Sequence, residues 1–244
     1  RLCRKNQRQS VLESPDMTLI LASNSPRRRQ LLALGGWEFT VSAAPVDETP
    51  LPGEGAPDYV SRLAESKVRA TAGFAPSSNL FLAADTTVVD NLSPAGAQIL
   101  GKPADEADAR RMLRSLRGRV HLVYTALAIF RPADECLLSD LCCTQVPMRD
   151  YSDSEIEAYI ATGDPLDKAG AYAIQHAGFH PVTNLQGCYA NVMGLPLCHL
   201  SRLLRTLQLP PQTDLPQACQ ASLGYTCPVF ADILRGVPQA ACAV

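Results

Sequence analysis

The chain has 244 residues, of which 46% are hydrophobic and 19% are charged. This composition is typical of a globular protein and argues against disorder, and the length allows one large core with an appendage. The 22 Lys and Arg residues against 24 Asp and Glu leave a formal net charge of −2, which argues against a surface for nucleic acid or an anionic membrane. Recognition of phosphate must therefore depend on a few locally placed cations.

Residues 1–16 are basic, but no apolar segment of a secretory signal follows them, and no run is long enough to span a membrane. We therefore expect a cytoplasmic protein with an N-terminal tail over residues 1–16. Nine cysteines include no Cys-x-x-Cys pair. We expect reduced, mostly buried thiols rather than disulfides or a zinc site.

The first elements predict a strand, a helix and a second strand. An apolar run at residues 18–22 predicts a buried strand, and it leads into a helix with Ser25 as its N-cap and Pro26 at its first position. Alternation over residues 37–43 predicts the second strand. A Pro- and Gly-rich loop at residues 45–57 then precedes an amphipathic helix at residues 58–72.

An apolar run at residues 80–84 predicts a buried strand that ends at Asp85, and residues 86–100 predict a hairpin with an inserted tip at residues 93–97. The remaining predictions are a helix, two strands, a helix with a capping box and a last helix, at residues 105–116, 120–130, 137–147, 152–160 and 195–207. Strands that alternate with helices predict an α/β fold with a mixed sheet. We assign the domain to residues 17–209 and a Cys- and Pro-containing C-terminal extension to residues 210–244.

A strand-to-helix junction carries the first candidate site. A helix N-terminus offers unpaired N–H groups, and Ser23, Ser25, Arg27 and Arg28 would complete a cradle for an anion such as phosphate. A capped surface helix with solvated arginines explains the same residues equally well.

Asp85 is the second candidate, because a carboxylate just beyond a strand can hold a metal ion or activate water. A strand-end Asp that only makes a turn is the simpler alternative. Glu48, Lys67 and Lys102 are each uninformative alone. The loop at residues 164–175 is rich in small and charged residues and indicates a binding segment, but it names no reaction.

Taken together, these segments resemble the Maf family of nucleotide pyrophosphatases over residues 17–207. The motifs occur in the order of that family. They are LASNSPRR at residues 21–28, VDE at 46–48, ESK at 65–67, ADT at 84–86, GKP at 101–103, DPLDKAG at 164–170, IQ at 174–175 and GLPL at 194–197.

The resemblance implies a Maf fold related to inosine triphosphate pyrophosphatase: an α/β fold with a mixed twisted sheet, flanking helices and an elongated cleft between two lobes. It implies hydrolysis of a nucleoside triphosphate to the monophosphate and pyrophosphate with Mg²⁺ or Mn²⁺, and it makes a homodimer plausible. Asp85 would be the general base and would bind the metal with Glu48. The implied phosphate-binding residues are Ser23, Arg28, Lys67 and Lys102.

Three positions separate two branches of this family, and here they are Arg27, Thr86 and Gln175, as in the dTTP/UTP branch. A neutral Gln amide can pair with the donor and acceptor edge of uracil or thymine, whereas a Glu would suit the donors of guanine. The resemblance thus implies dTTP, UTP or a modified pyrimidine analogue as substrate.

Other functions stay open at this point. One alternative is the same chemistry on 7-methyl-GTP or another noncanonical triphosphate. Another is a nucleotide-binding regulator of cell division with little turnover, which would not need Asp85 beside Glu48 and Lys102. A nucleic-acid-binding module is disfavoured by the charge balance.

Overall fold

The computed structural model describes residues 17–90 and 96–237. The predicted N-terminal tail, residues 91–95 of the predicted hairpin and residues 238–244 of the extension lie outside the described residues. The described strands are β1 (Leu19–Leu21), β2 (Phe39–Val41), β3 (Leu80–Asp90), β4 (Gln98–Leu100), β5 (Val120–Arg131) and β6 (Cys136–Pro147). The described α-helices are α1 (Pro26–Ala33), α2 (Ala56–Ala72), α3 (Glu106–Leu116), α4 (Asp153–Ile160), α5 (Tyr189–Met193), α6 (Leu197–Thr206), α7 (Leu215–Leu223) and α8 (Phe230–Arg235).

These strands form one mixed sheet in the order β2-β1-β3-β5-β6, with β4 paired to β3. β1 runs parallel to β2 and to β3. The pairs of β3 with β4, β3 with β5, and β5 with β6 are antiparallel. The sheet is flanked by helices, which confirms the predicted α/β class.

The sheet is buried on both faces, which explains why β3 is a continuous apolar run rather than an alternating one. Phe81 and Ala83 contribute to the core beneath α2, together with Val60 and Val68 of that helix. Leu82 lies on the opposite face, because side chains alternate along a strand. That face packs against α1, α5 and α6 through a cluster that includes Leu31, Leu127 and Leu200.

A further apolar cluster packs α3 and α4 against the segment that follows α4. It includes Leu113, Ile156, Tyr159 and Phe179. The capping box at the start of α4 is present, since the Ser152 side chain accepts from the Glu155 backbone and the Glu155 side chain accepts from the Ser152 backbone. This confirms the helix that the capping pattern predicts.

The C-terminal residues continue the fold beyond the last predicted helix. The prediction that no helix follows residue 207 was wrong, because α7 and α8 pack onto α6 and bury Leu215 and Ile233, each 1% exposed. Both helices are short, with nine and six residues, so they give little apolar periodicity. The division of the chain at residue 209 stays a prediction.

Other helices also differ from the predictions. α2 begins at Ala56, two residues before the prediction, with Pro57 in its first turn. The five-residue helix α5 was not predicted, since five residues are too few for a periodic pattern.

Six of the described cysteines form no disulfide, in agreement with the predicted reduced thiols. Four are buried (Cys142, Cys143, Cys188 and Cys198) and two are half-buried (Cys219 and Cys227). Cys136 is disulfide-bonded, which corrects the prediction for that residue. None of the helices in the described part of the chain has the length and apolar character needed to cross a membrane.

Candidate active site

A cleft of about 710 Å³ lies between α1, α2 and β3 on one side and the segment that follows α4 on the other. Every site residue that the sequence predicts lines it: Ser23, Arg27, Arg28, Glu48, Lys67, Asp85, Thr86, Lys102 and Gln175. The fold therefore brings together residues that are far apart in the chain. The role of each residue stays a prediction.

The N-terminus of α1 forms one wall of this cleft. The Ser25 hydroxyl accepts from the Arg28 N–H at 3.5 Å, which confirms the predicted N-cap. Pro26 occupies the first turn, where the missing N–H costs nothing. The Ser25 N–H donates to Ser23 Oγ at 3.2 Å, so the turn between β1 and α1 is fixed by its own side chains.

Arg28 is not a solvated surface arginine. Its Nε donates to the Gly194 carbonyl at 2.9 Å, its Nη2 to Thr86 Oγ1 at 3.0 Å and its Nη1 to Ser23 Oγ at 3.4 Å. Burial lowers the pKa of Arg28, although the Asp85 charge opposes this effect, and a guanidinium remains a cation at any physiological pH. These bonds use three of its five N–H groups and hold a fixed positive charge in the cleft.

Asp85 lies in the middle of a strand, not at its end. The predicted strand end was wrong, because β3 continues to Asp90 and Asp85 pairs with Ala126 of β5. β1 pairs only with residues 80–82 of β3 and has ended before β3 reaches Asp85. The carboxylate thus emerges beside the carboxyl end of β1, where the sheet opens into the cleft.

Lys67 joins the two candidate carboxylates. It lies on α2, which packs on β3, and its Nζ is 2.5 Å from Asp85 Oδ1 and 2.7 Å from Glu48 Oε1. The Asp85 side chain is 9% exposed, whereas that of Glu48 is 52% exposed. One ammonium group therefore connects a buried carboxylate to an exposed one.

The two carboxylates have pKa values shifted in opposite directions. Burial raises the pKa of Asp85, and the charges of Lys67 and Arg28 offset this only in part. Burial also acts to raise the pKa of Glu48, but the hydrogen bond and charge of Lys67, followed by the charges of Lys102 and Arg28, lower it overall. Such a divergence between neighbouring carboxylates is typical of sites that carry out acid–base chemistry.

The loop that carries Glu48 has no regular secondary structure but is held by α2. The Tyr59 hydroxyl donates to the Glu48 carbonyl at 2.8 Å. Arg62 donates to both Glu54 carboxylate oxygens at 2.6 and 2.7 Å and to the Thr49 carbonyl at 3.1 Å. Glu48 therefore reaches Lys67 from a loop with defined anchors.

A buried polar network supports the floor of the cleft. Thr86 Oγ1 lies 3.0 Å from Thr125 Oγ1, whose hydroxyl donates to the Asn191 carbonyl at 2.9 Å. The Asn191 amide, fully buried, donates to the Val123 carbonyl and to Thr144 Oγ1, both at 3.0 Å. This network ties α5 to β5 and β6 and anchors the hydroxyl of Thr86.

Other residues that line the cleft differ in character from the charged groups around Asp85. Arg27 is half-buried and Gln175 is exposed, and both line the cleft together with apolar side chains. These apolar residues are Val123, Ile174, Val192 and Met193. A flat base with an amide-binding edge suits such a surface, while a phosphate chain suits the end around Arg28, Lys67 and exposed Lys102.

The carboxylates suit a divalent cation only if a substrate completes the site. Within residues 17–90 and 96–237 no group of three or more His, Cys, Asp and Glu side chains forms a metal site. Mg²⁺ is usually bound by one or two carboxylates with substrate phosphates and waters. Glu48 and Asp85, which share one ammonium group, provide such a pair.

Several residues that line or support the cleft were not predicted from the sequence. Tyr59, Asp167, Lys168 and Tyr172 line it, and Asn191 lies beneath it. Lys168 and Asp167 lie in the segment at residues 164–175 that was noted for its composition. Nothing in the sequence marks Tyr59 or Asn191, because their contacts are with residues distant in the chain.

The comparisons with known proteins agree on one family. The model of a family described as Maf-like protein matches residues 18–207. The dTTP/UTP pyrophosphatase of Geobacter sulfurreducens is 46% identical over 189 residues, which covers 78% of this chain and 96% of the relative. The dTTP/UTP pyrophosphatase of Methylococcus capsulatus is 46% identical over 198 residues, which covers 81% of this chain and 95% of the relative.

Among solved structures, a nucleoside-triphosphatase / dITP/XTP pyrophosphatase from Mycobacterium abscessus covers 78% of this chain and 98% of its own, with a TM-score of 0.39 and 16% identity. That superposition is too weak to carry an argument. The family match and the sequence relatives are sufficient by themselves, since they span most of the chain and nearly all of each relative. The chain therefore belongs to the Maf family.

Proposed function

We propose that this protein hydrolyses nucleoside triphosphates to the nucleoside monophosphate and pyrophosphate, with dTTP and UTP, or modified pyrimidine analogues, as substrates. The observation that carries the proposal is the contact of Asp85 and Glu48 with one Lys67 ammonium group in a cleft that also holds Arg28 and Lys102. The names of the relatives, dTTP/UTP pyrophosphatase, support the same reaction and the same class of nucleobase.

Asp85 is the general base of the proposed mechanism. Burial raises its pKa, and a base whose pKa approaches the working pH removes a proton more effectively than an ordinary carboxylate. Asp85 accepts the proton of a water that attacks the α-phosphorus. The bond from the α-phosphorus to the bridging oxygen breaks, and pyrophosphate leaves.

The cations of the cleft stabilise the charge that develops in this reaction. Arg28 and Lys102 lie on the phosphate side with the hydroxyl of Ser23, and Lys67 shares its charge between the carboxylates and the substrate. Glu48 and Asp85 would hold Mg²⁺ or Mn²⁺ with phosphate oxygens and waters. When bound, this cation withdraws negative charge from the phosphates.

Base recognition is assigned to Arg27, Thr86 and Gln175. The Gln175 amide provides one donor and one acceptor for the edge of uracil or thymine. Thr86 acts through the fixed position of its hydroxyl between Arg28 and Thr125. The apolar side chains that line the cleft provide the surface for the face of the nucleobase.

A pyrophosphate-release assay tests the proposal. We expect turnover of dTTP and UTP over 7-methyl-GTP in the presence of Mg²⁺ or Mn²⁺, and a loss of kcat of at least about 100-fold in Asp85→Asn. Asp140→Asn is the matched control, because Asp140 also pairs with a basic side chain, His199, but does not line the cleft. We expect it to keep wild-type turnover.

Other outcomes select the alternatives. Turnover of 7-methyl-GTP in preference to UTP supports the proposed reaction but overturns the assignment of a pyrimidine nucleobase. Nucleotide binding without any turnover favours the regulator of cell division. Cytoplasmic residence and a homodimer are part of the proposal, and light scattering of the purified chain tests the dimer.

A further inference from the structure

The loop at residues 164–175 forms the far wall of the cleft and carries Gln175 at its end. Residues 167–169 and 172–175 of this 164–175 loop line the cleft. It contains two short 3-10 turns, Asp164–Asp167 and Ala169–Ala171, and no α-helix or strand. Its shape must therefore depend on side-chain contacts rather than on a regular hydrogen-bond ladder.

One hydroxyl connects the two ends of this loop. Tyr159 lies on α4, outside the loop, and is 2% exposed. Its hydroxyl donates to Asp164 Oδ2 at 2.7 Å and accepts from the Ala173 N–H at 2.9 Å. The Tyr159 ring is itself fixed, because it stacks on Phe179 with a centroid distance of 4.3 Å and an interplanar angle of 15°.

Two further contacts close the middle of the loop. Lys168, 7% exposed, donates to the Asp164 carbonyl at 2.6 Å, to Asp164 Oδ1 at 2.9 Å and to Asp167 Oδ1 at 2.6 Å. The Gly170 N–H donates to the Gly101 carbonyl at 3.0 Å, next to Lys102. Both contacts hold residues that precede Tyr172 in the sequence. The Tyr159 hydroxyl holds Ala173, so among these contacts it is the one nearest in sequence to Gln175.

We propose that Tyr159 is a specificity-determining residue, which positions the Gln175 amide against the nucleobase by holding the Ala173 backbone two residues away. The assignment rests on the proposed function, since it concerns the base that this cleft selects. Tyr159 does not touch the substrate. It acts through the backbone, because the exposed Gln175 side chain takes its position from the chain that carries it.

The physical reason is that an amide discriminates between bases only when its orientation is fixed. Uracil presents an N–H donor and a carbonyl acceptor, whereas cytosine presents the reverse pattern, and a Gln amide that turns over can pair with either. Without the Tyr159 hydroxyl, the Ala173 N–H, buried in the protein, loses its acceptor, and a buried unpaired group drives local rearrangement. The loop then presents Gln175 in more than one orientation.

The test compares Tyr159→Phe with Tyr151→Phe. Tyr151 is a matched control because it is also buried, packs against Phe179 at 4.8 Å and donates its hydroxyl to a backbone carbonyl, that of Leu113 at 2.7 Å. This hydrogen bond of the Tyr151 hydroxyl goes to α3, outside the 164–175 loop. We expect the ratio of kcat/KM for UTP over CTP to fall about tenfold in Tyr159→Phe, mainly through the KM for UTP, and to stay at the wild-type value in Tyr151→Phe.

Two additional measurements separate positioning from a general loss of stability. In a Gln175→Ala background, Tyr159→Phe should no longer change the UTP/CTP ratio, because residues that act through one another are not additive. Hydrogen exchange of the Ala173 amide should be faster in Tyr159→Phe and unchanged in Tyr151→Phe. This second measurement does not depend on turnover.

The outcomes distinguish this assignment from the proposed function. A wild-type protein without UTP turnover overturns the proposed function and this assignment with it. If the wild type turns over UTP but Tyr159→Phe leaves the UTP/CTP ratio unchanged, only the assignment of Tyr159 is overturned. The same holds if Tyr159→Phe lowers this ratio equally in the wild-type and Gln175→Ala backgrounds. Unchanged exchange of the Ala173 amide also overturns it.

Discussion

At the scale of single residues, the chemistry of the cleft depends on the balance around Asp85. Burial favours the neutral acid, while Lys67 at 2.5 Å favours the ionised form. The result is a carboxyl group whose pKa is raised by burial and held down only in part by the charges of Lys67 and Arg28. A carboxylate with a raised pKa accepts a proton more readily than an ordinary carboxylate.

Removing the Lys67 charge should shift the pH dependence of activity. In Lys67→Met, burial acts on Asp85 without its main opposing charge, so the pKa of Asp85 rises further. Because a general base is inactive when protonated, the acid limb of kcat/KM should move to higher pH. A pH profile of kcat/KM measures this shift whatever the loss in absolute rate.

Arg69→Met is the control for that shift. Arg69 lies on the same helix and forms an exposed ion pair with Glu65 rather than a contact with Asp85. Its acid limb should coincide with that of the wild type. An acid limb that stays in place in Lys67→Met would show that Asp85 is not the group whose ionisation limits the reaction.

At the scale of elements, the turn between α5 and α6 controls the position of Arg28. Gly194 ends α5 with a φ of 106° and accepts from Arg28 Nε through its carbonyl. A Cβ at this position would lie 3.1 Å from Thr86 Oγ1 and 3.3 Å from Arg28 Nε. The turn thus needs a glycine both for its backbone conformation and for space beside the cleft.

Gly194→Ala and Gly224→Ala separate these two requirements. Gly224 ends α7 and also has a positive φ, 57°, but a Cβ there would meet nothing within 4 Å and the residue does not line the cleft. Both changes should lower the free energy of unfolding by about 1–3 kcal/mol through backbone strain. Only Gly194→Ala should also lower kcat/KM, by at least about tenfold, because a small displacement of Arg28 spoils the alignment of the site.

Denaturant unfolding and steady-state kinetics on the two variants measure this difference. Equal activity in both variants, at equal loss of stability, would show that Arg28 tolerates the displacement. A loss of activity in Gly224→Ala would instead show that backbone strain outside the cleft is sufficient.

At the scale of the whole molecule, the C-terminal residues complete the packing of α1. The Gln212 N–H donates to the Gly35 carbonyl at 2.8 Å, and the Thr213 hydroxyl donates to the Leu34 carbonyl at 2.7 Å. Leu215 enters the same apolar cluster as Leu31 of α1. The residues beyond the family match at 207 therefore support the helix whose N-terminus borders the cleft.

The substitution Leu215→Ala should show that the packing of α7 into the apolar cluster it shares with α1 is part of the cooperative fold. Leu215→Ala removes a side chain that is 1% exposed, so the free energy of unfolding should fall by about 2–5 kcal/mol. Val237→Ala, at a position 46% exposed in the same segment, should change it by less than about 0.5 kcal/mol. Urea unfolding measures both, and a loss near that of Val237→Ala would place α7 outside the cooperative unit.

Much of the fold could be predicted from the sequence, as could nine of the side chains that line the cleft, whereas Tyr59 and Asn191 could not. Ser25 and Pro26 mark the start of α1 because a cap acts within one turn of chain. The buried strands could be recognised from apolar runs for the same reason, because each run consists of consecutive residues. The end of β3 could not be predicted because it depends on pairing with β5, and α7 and α8 could not because they depend on packing on α6. The helix α5 is too short to give a periodic pattern.

The sequence by itself determined which side chains are available for chemistry and in what order they occur, because motifs such as 21–28 and 164–170 are properties of contiguous chain. Only the tertiary structure decided that one Lys67 ammonium joins Glu48 to Asp85, and that the Tyr159 hydroxyl closes a loop from outside it. These contacts are made by residues on different elements. Their distances, and the burial that shifts the pKa of Asp85, exist only after the sheet and its helices have packed.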